Sequence, residues 1–349
     1  MNKHKGAYMK TTGIARAHTN IALIKYWGKK DKALFLPMNS SLSLTLEAFY
    51  TDTKITLDKT LEKDEFYLNN VLQQEAETQK ISKFLDLFRI PAKETRFARI
   101  ESYNFVPTAA GLASSASAFA ALAGAMHQAM GWNLSRSELS TYARRGSGSS
   151  TRSLFGGFVE WNQGTNSENS MAIPIDDASW DIGMLIVVVN GAAKKISSRV
   201  GMEQTVATSP FYPAWVESAR TDLEEIKTAI QEKNFTRMGE FAEFNGMKMH
   251  ATMLASQPPF CYFEPDSLIA QQQVVYLREV LGIPAYYTMD AGPNVKVLCK
   301  ASDLNKVRDH FKQYFASEKL ISSLPGEAMR TLTEEEWQES IQHFNQKGK

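Results

Sequence analysis

Cysteine is nearly missing: Cys261 and Cys299 are the only two in a chain of 349 residues. The two could pair, but so few thiols in a chain this long more often mean a reducing compartment than a disulfide framework. With no CxxC pair and no Cys/His cluster, a zinc site is not expected either. Long apolar runs are also missing. The longest strongly apolar stretch is "MLIVVV", Met184 to Val189, far short of the roughly 20 residues that span a bilayer. The opening "MNKHKGAYMKTTGIARAHTN" is basic without an apolar core, so no secretory signal is expected. Together these features predict a soluble, cytoplasmic protein. No charge dominates, since 39 Lys plus Arg face 38 Asp plus Glu, for a net charge of +1. That balance argues against a dedicated nucleic-acid binder and leaves room for a local basic pocket that takes a small anion. Neither a GK[ST] loop nor a GxGxxG turn is present, which removes the Walker and dinucleotide fingerprints.

What is present reads as two parts. Apolar content of 43% with 22% charge is that of a globular chain, long enough for one large domain or two ordinary ones. "GIARAHTNIALIKYW", "SSLSLTLEAFY", "TKITLD" and "EFYLNN" read as strands. Leu72 to Phe88 has helical period, with Ile81, Phe84, Leu85 and Phe88 on one face and Pro91 just beyond its end. "RFARIESYNF" reads as a strand, followed by helices at Ser114–Met130 and Ser135–Arg144. "GGFVEW" and "DIGMLIVVVN" then read as buried strands. Past Asn190 helices dominate: Val216, Ala219, Leu223, Ile226 and Ile230 mark an amphipathic one, and two more fall near 235–254 and 267–281. "AYYTMDAGPNVKVLCK" gives two short strands around a Gly-Pro turn, and "SDLNKVRDHFKQYF" a helix with a serine N-cap. The pattern predicts an α+β fold of two lobes, residues 1–190 and 191–349.

"VPTAAGLASSASAFAALAGAM", Val106 to Met126, is built almost wholly from small residues. One reading is an anion cradle. A helix start leaves backbone N–H groups unpartnered and carries partial positive charge; Gly111, Leu112 and Ala113 would let a phosphate approach, and Ser114 and Ser115 would donate hydroxyls. The other reading is a close helix-helix contact through small side chains. His18 and the methionines Met247, Met249 and Met253 are read as core.

"PTAAGLASSA" resembles the phosphate-binding motif of the galactokinase, homoserine, mevalonate and phosphomevalonate kinase superfamily. Four further segments narrow the match: "AHTNIALIKYWGK", "RRGSGSSTRSLFGGFVEW", "ISSRVGM" and "TMDAGPN". In this order, from about residue 12 to residue 320, they resemble the mevalonate diphosphate decarboxylase family. The resemblance implies a ribosomal-protein-like lobe followed by a ferredoxin-like lobe, with the active site between them and a homodimer as the assembly. It implies ATP-dependent decarboxylation of mevalonate 5-diphosphate to isopentenyl diphosphate, with ATP and Mg²⁺ required.

The same resemblance distributes roles. Tyr26, Trp27, Gly28, Lys29, Ser147, Gly148, Ser149, Ser150, Thr151, Ser198, Arg199 and Met202 would hold the substrate, largely through its diphosphate. Arg152, a planar fork suited to a carboxylate, would orient the carboxylate that is lost. Asp290 would be the catalytic carboxylate, Lys25 its partner, and Lys194 would stabilise the transferring phosphoryl group. Gly111, Leu112, Ala113, Ser114 and Ser115 would face the ATP phosphates, with Ser102 and Asn104 as further nucleotide contacts. Read from residues alone, "MDAGPN" is also a plain turn with a structural Asp. A sister kinase or decarboxylase acting on mevalonate or its monophosphate, or a catalytically silent nucleotide-binding sensor, are the rival functions. The family commonly reads "SGSACRS", where this chain reads "SGSSTRS"; Ser150 and Thr151 stand for Ala and Cys, and a local adjustment is expected.

Overall fold

A computed structural model describes residues 10–106, 114–191 and 196–347. Gly111, Leu112, Ala113 and Lys194 lie outside these residues. In chain order the elements are β1 (Thr12–Ile24), β2 (Lys29–Asp31), β3 (Leu36–Pro37), β4 (Ser41–Asp58), β5 (Glu65–Leu68) and β6 (Val71–Leu72). Helix α1 (Glu75–Ala92) and β7 (Phe97–Asn104) follow, then α2 (Ser114–Ala129), α3 (Arg136–Gly146), β8 (Phe158–Trp161), β9 (Ala172–Asp176) and β10 (Gly183–Val187). The second half holds α4 (Ser198–Thr208), α5 (Tyr212–Gln231), α6 (Phe235–Leu254), α7 (Pro265–Glu279), β11 (Ala285–Met289) and β12 (Val295–Cys299). It closes with α8 (Leu304–Phe311), β13 (Leu320–Ser323), β14 (Arg330–Thr331) and α9 (Glu334–Lys347).

Among the described residues the strands form two main sheets. The first runs β14-β1-β4-β7-β5-β6, with β8 and β9 extending from β4; the second runs β11-β12-β10-β13 and is antiparallel throughout. The chain crosses the expected division at residue 190 in both directions. β10, before it, pairs with β12 and β13, while β14 returns to pair with β1. β10 and β12 are buried at every position. Both faces of their sheet are covered: Leu185, Val187, Val295 and Val297 pack toward α7 and α8, while Met184, Ile186 and Leu298 pack toward α5 and α6. That double covering is why "MLIVVV" shows no polar alternation.

The second of those faces is continuous with the first sheet. Leu23, Leu42, Leu44 and Leu46 share one apolar cluster with Ile186, Leu223, Ile226 and Leu298, so a common core fastens the lobes together. On the opposite face of the first sheet, α2 presses Ala120, Ala121 and Ala125 against β1. A Cβ on Gly13 would fall 1.9 Å from the carbonyl oxygen of Ala125. The small residues of α2 therefore serve a close helix-strand contact, which differs from the helix-helix contact of the packing alternative.

Two local expectations change. Pro91 lies inside α1, in its last turn; it removes one N–H there, and the helix stops at Lys93 in the left-handed conformation (φ 54°). Ser302 does not cap α8: its N–H and hydroxyl go to the carboxylate of Asp181 at 2.8 and 2.7 Å, and Asp303 holds the N-cap position. Helix α3 does have the expected start, with Ser135 and Glu138 forming a reciprocal capping box.

Helix α9 docks on the first sheet through Trp337, 2% exposed, whose ring lies 5.3 Å from that of Tyr103. Trp337→Ala should lower stability by about 3–5 kcal/mol, the usual loss for a fully buried aromatic. Denaturant midpoints at unchanged m-value test this, and a loss below about 1 kcal/mol would mean that α9 does not anchor there.

Candidate active site

The end of β1 places the segment Lys25–Lys29 between the lobes. Three contacts from the second lobe hold it. Asn245 of α6 accepts the Lys25 N–H at 2.8 Å, the Tyr212 hydroxyl donates to the Trp27 carbonyl at 2.5 Å, and Tyr212 packs over Gly28. Gly28 has φ +119°, and a Cβ there would come 1.8 Å from the Tyr212 oxygen, so both conformation and space require glycine. Behind Asn245, Asp222 accepts from its side-chain amide at 2.7 Å and pairs with Lys248 at 2.7 Å.

Lys25 is buried and donates from Nζ to Asp290 Oδ1 at 2.7 Å and to the Ala22 carbonyl at 2.8 Å. Asp290 follows β11 directly, and its side chain is 37% exposed, opening to the cleft. Burial lowers the Lys25 ammonium to about 8, with Asp290 opposing that shift and the charges of Lys296 and Arg152 adding to it. His250, in α6, is buried with Nε2 3.2 Å from the Met289 carbonyl, and burial followed by the Lys25 charge brings it down to about 4.

The glycine-serine segment forms a 3-10 turn, Gly148–Leu154, after α3. Asn20 of β1 ties it down by donating to the Ser149 carbonyl (3.0 Å) and the Ser153 hydroxyl (2.8 Å), while its oxygen accepts from Arg152 Nε (3.3 Å). Arg152 is 2% exposed and donates from Nη1 to the Ser41 hydroxyl at 2.6 Å. Among the described residues no carboxylate lies within ion-pair reach of it. Burial lowers its guanidinium to about 10, partly opposed by Asp290. A buried guanidinium without a carboxylate is costly unless an anion arrives.

These parts meet on one cavity of about 1090 Å³. Its walls include Lys25, Tyr26, Trp27, Lys29, Ser115, Ser147, Gly148, Ser149, Arg152, Ser198, Arg199, Met202 and Asp290. Ser115, Ser147 and Ser149 form a run of hydroxyls with Oγ separations of 3.1 and 3.2 Å. The first turn of α4, with Ser197 as N-cap, brings Ser198 and Arg199 to the same space. The Tyr26 hydroxyl and Trp27 Nε1 are buried with no hydrogen-bond partner among the described residues. Lys29 Nζ stands 3.6 Å over the Phe35 ring; burial lowers its pKa, and the charge of Arg199 adds to that. The walls also carry Lys32, Lys80, Lys83 and Arg145, against Glu203 and Asp290 as the only carboxylates among the described residues. A chain of nearly zero net charge thus has a locally cationic cavity, as a polyanion site requires.

Several expected residues lie elsewhere. Ser102 and Asn104 are on β7, off these walls: Ser102 shares a 2.8 Å hydrogen bond with Thr53, and the Asn104 side-chain oxygen accepts from Thr51 at 3.3 Å. Strand alternation there spends both side chains on the sheet. Ser114 starts α2 half-buried, and its carbonyl accepts from Ser117 at 3.2 Å. Ser150 donates to the Ala143 and Ser147 carbonyls, at 2.6 and 2.5 Å, and Thr151 to the Gly148 carbonyl at 2.7 Å. Both turn away from the cavity, so the departure from the family spelling is absorbed by local backbone bonds. Met249 and Met253 both belong to a buried core cluster, and Met249 also borders the cavity. His18 is buried against the Glu47 carbonyl at 3.1 Å. Asn20, Ser41, Asn245, Lys80, Lys83, Arg145 and Lys296 were not anticipated. The spacing of Lys80 and Lys83, one turn apart on α1, is the one local signal among them.

Fold and structural likeness define a two-lobed α+β chain of the galactokinase, homoserine, mevalonate and phosphomevalonate kinase superfamily, with a cation-lined cavity between its lobes. Residues 17–172 match the model of a diphosphomevalonate decarboxylase-like N-terminal domain, and residues 184–348 that of a mevalonate 5-diphosphate decarboxylase C-terminal domain. A diphosphomevalonate decarboxylase of Candida albicans is 36% identical over 86% of this chain and 87% of its own; one of Rattus norvegicus is 36% identical over 80% and 75%. A mevalonate diphosphate decarboxylase structure from Staphylococcus aureus superposes with TM-score 0.90 at 48% identity over 93% of this chain and 98% of its own. One from Enterococcus faecalis gives 0.87 at 50% over 92% and 99%. The chain belongs to the diphosphomevalonate decarboxylase family.

The Lys25 ammonium loses its proton as pH rises through about 8, and Asp290 then loses the cation at 2.7 Å. Because kcat/KM reports groups of the free enzyme, it should fall on the alkaline side with an apparent pKa of about 8. A profile that stays flat up to the ordinary lysine range near ~10.4 would remove Lys25 from the reacting set.

Proposed function

We propose that the cleft decarboxylates mevalonate 5-diphosphate to isopentenyl diphosphate with ATP, and that Asp290, Lys25 and Arg152 form its reacting set. The observation that carries this assignment is their grouping on one cavity: a carboxylate held by a buried lysine, with a buried guanidinium that has no carboxylate within ion-pair reach among the described residues. Arg152 takes the substrate carboxylate. Tyr26, Lys29, Ser147, Ser149, Ser198 and Arg199 take its diphosphate, Trp27, Gly28, Gly148 and Met202 shape that space, and Ser115 faces the ATP phosphates. Gly111, Leu112 and Ala113 belong with Ser115 in this reading, and Lys194 with the transferring phosphoryl group.

Asp290 accepts a hydrogen bond or the proton from the tertiary hydroxyl, whose oxygen attacks the γ-phosphorus as ADP leaves. The C–O bond of the new phosphate ester then breaks, and phosphate leaves with its electron pair. The electrons of the bond to the carboxylate form the double bond, and carbon dioxide leaves. Phosphoryl transfer of this kind depends on positioning and on neutralising charge. A solved relative with 50% identity carries MVAPP, AMPPCP and magnesium. Among the described residues no three His, Cys, Asp or Glu side chains group as a metal cage. The donor set suits Mg²⁺ that arrives on nucleotide phosphates and takes at most one or two protein oxygens. It would neutralise charge on the phosphates near Ser115, Ser147 and Ser149. A ribosomal-protein-like first lobe handling the nucleotide, a ferredoxin-like second lobe carrying Asp290 with the change near residue 190, a homodimer, and a cytoplasmic location complete the reading.

Given ATP, Mg²⁺ and mevalonate, its monophosphate or its diphosphate, the protein should release carbon dioxide, phosphate and ADP in equal amounts from the diphosphate alone. ADP without carbon dioxide would make it a kinase. Asp290→Asn should lower kcat by about two powers of ten or more with nucleotide binding retained, and an unchanged kcat removes Asp290 from the mechanism. Arg152→Lys should lose most activity, because a point charge does not replace the fork; a near-normal rate would rule out the carboxylate clamp.

A further inference from the structure

Lys296 is a fully buried lysine in the middle of an apolar sheet, and nothing in the reaction described so far uses it. Its neighbours along β12, Val295 and Val297, face α7 and α8, while Lys296 shares the opposite face with Leu298. It sits on an inner strand, across from Thr288 on β11 and Ile186 on β10. An apolar side chain would suit that position by packing alone, and a buried ammonium is tolerated only where an anion or strong acceptors compensate it. Lys296 Nζ has two such partners: the Asn294 carbonyl at 3.1 Å and Asp290 Oδ2 at 3.5 Å.

Strand geometry explains the arrangement. Thr288 and Lys296 are a cross-strand pair, and Asp290, next but one after Thr288, emerges on the same face. The hairpin thus aims its own lysine at the back of its own aspartate. Lys25 holds Oδ1 from the first lobe, and Lys296 holds Oδ2 from within the second. Lys25 and Asp290 line the cavity, whereas Lys296 does not.

We propose that Lys296 is a positioning residue for the decarboxylation, fixing the second oxygen of Asp290 from behind so that the carboxylate meets the substrate hydroxyl in one orientation and in its ionised form. The inference rests on the assignment of Asp290 made above. Around that carboxylate stand Lys25 at the end of β1, Arg152 from the 3-10 turn, His250 from α6 and Lys296 from β12. His250, at about 4, is neutral through the working range. Asp290 is thereby an acceptor framed by cations.

The test uses the full chain with ATP, Mg²⁺ and mevalonate diphosphate, and compares Lys296→Met, Asp290→Asn and the double variant. Methionine matches the stem of lysine without its charge. Lys296→Met should lower kcat about tenfold or more, leave both KM values within about twofold, and raise the acid limb of the kcat profile by about one unit, as expected when a cation leaves a carboxylate. Adding Lys296→Met to Asp290→Asn should cost nothing further in rate, and should leave Tm equal or higher because an unpaired buried ammonium is gone. Unchanged kcat and an unchanged acid limb in Lys296→Met overturn the inference, as does a loss that adds in full to Asp290→Asn. Failure to fold in both backgrounds makes the lysine purely structural and overturns it too, while folding only in the Asp290→Asn background supports it. Full activity of Asp290→Asn overturns the underlying assignment and this inference together, whereas an unaffected Lys296→Met beside a crippled Asp290→Asn overturns this inference alone.

Discussion

The ion pair between Lys25 and Asp290 is the constraint around which the rest of the molecule is arranged. It joins the end of β1 to the end of β11, so it exists only while the two lobes keep their relation. It is also undercompensated. Lys25, Lys296 and Arg152 are each at most 2% exposed, and Asp290 is the carboxylate that faces them. Removing one partner of a buried pair commonly costs about 3–5 kcal/mol, less where one member opens to a cleft as Asp290 does. Burial lowers the ionisation of both Lys25 and Arg152, and Asp290 opposes both shifts. A ligand that brings a carboxylate and phosphates would add negative charge beside these buried cations.

Holding such a site in place takes rigidity, and the core provides it. Leu42, Leu44 and Leu46 from the first sheet and Ile186 and Leu298 from the second belong to one cluster with α5 and α6. On top of this apolar contact, Asn245 and Tyr212 fix backbone atoms of Lys25 and Trp27 directly. A hydrophobic contact is tolerant of small slides, whereas a 2.5 or 2.8 Å hydrogen bond to a named carbonyl or N–H is not. The two act at different scales: the core sets which surfaces face each other, and the hydrogen bonds set the register in the cleft.

How much of this was legible in the chain depends on the range of each interaction. Helix α1 declared its buried face through Ile81, Phe84, Leu85 and Phe88, and β10 and the β11–β12 hairpin through uninterrupted apolar runs, because periodicity is a local property. The cap of α8 escapes such local reading because Ser302 prefers Asp181, a residue 121 positions away. The placement of Lys80, Lys83 and Arg145 on the cleft, and of Lys296 behind Asp290, follows only from tertiary packing. Ser102 and Asn104 carry the right chemistry for nucleotide contacts, yet the pairing of β4 with β7 commits them to Thr53 and Thr51. Resemblance carried Asp290, Arg152 and the serine loop, since motifs in register hold spatial information that residue types alone do not.

The small-residue segment shows how a packing demand and a binding demand coincide. Bulk on α2 or at Gly13 would push the helix off β1, as the 1.9 Å approach to the Ala125 carbonyl shows. That close seating carries the start of the helix to the cleft, where Ser115 reaches Ser147 across 3.1 Å and Ser147 reaches Ser149 across 3.2 Å. Alanines along the helix and serines at its head are therefore parts of one device, in which the depth of seating sets where the hydroxyls stand. A larger residue deep in the helix would act on the anion site without touching it, by lifting Ser115 out of the row.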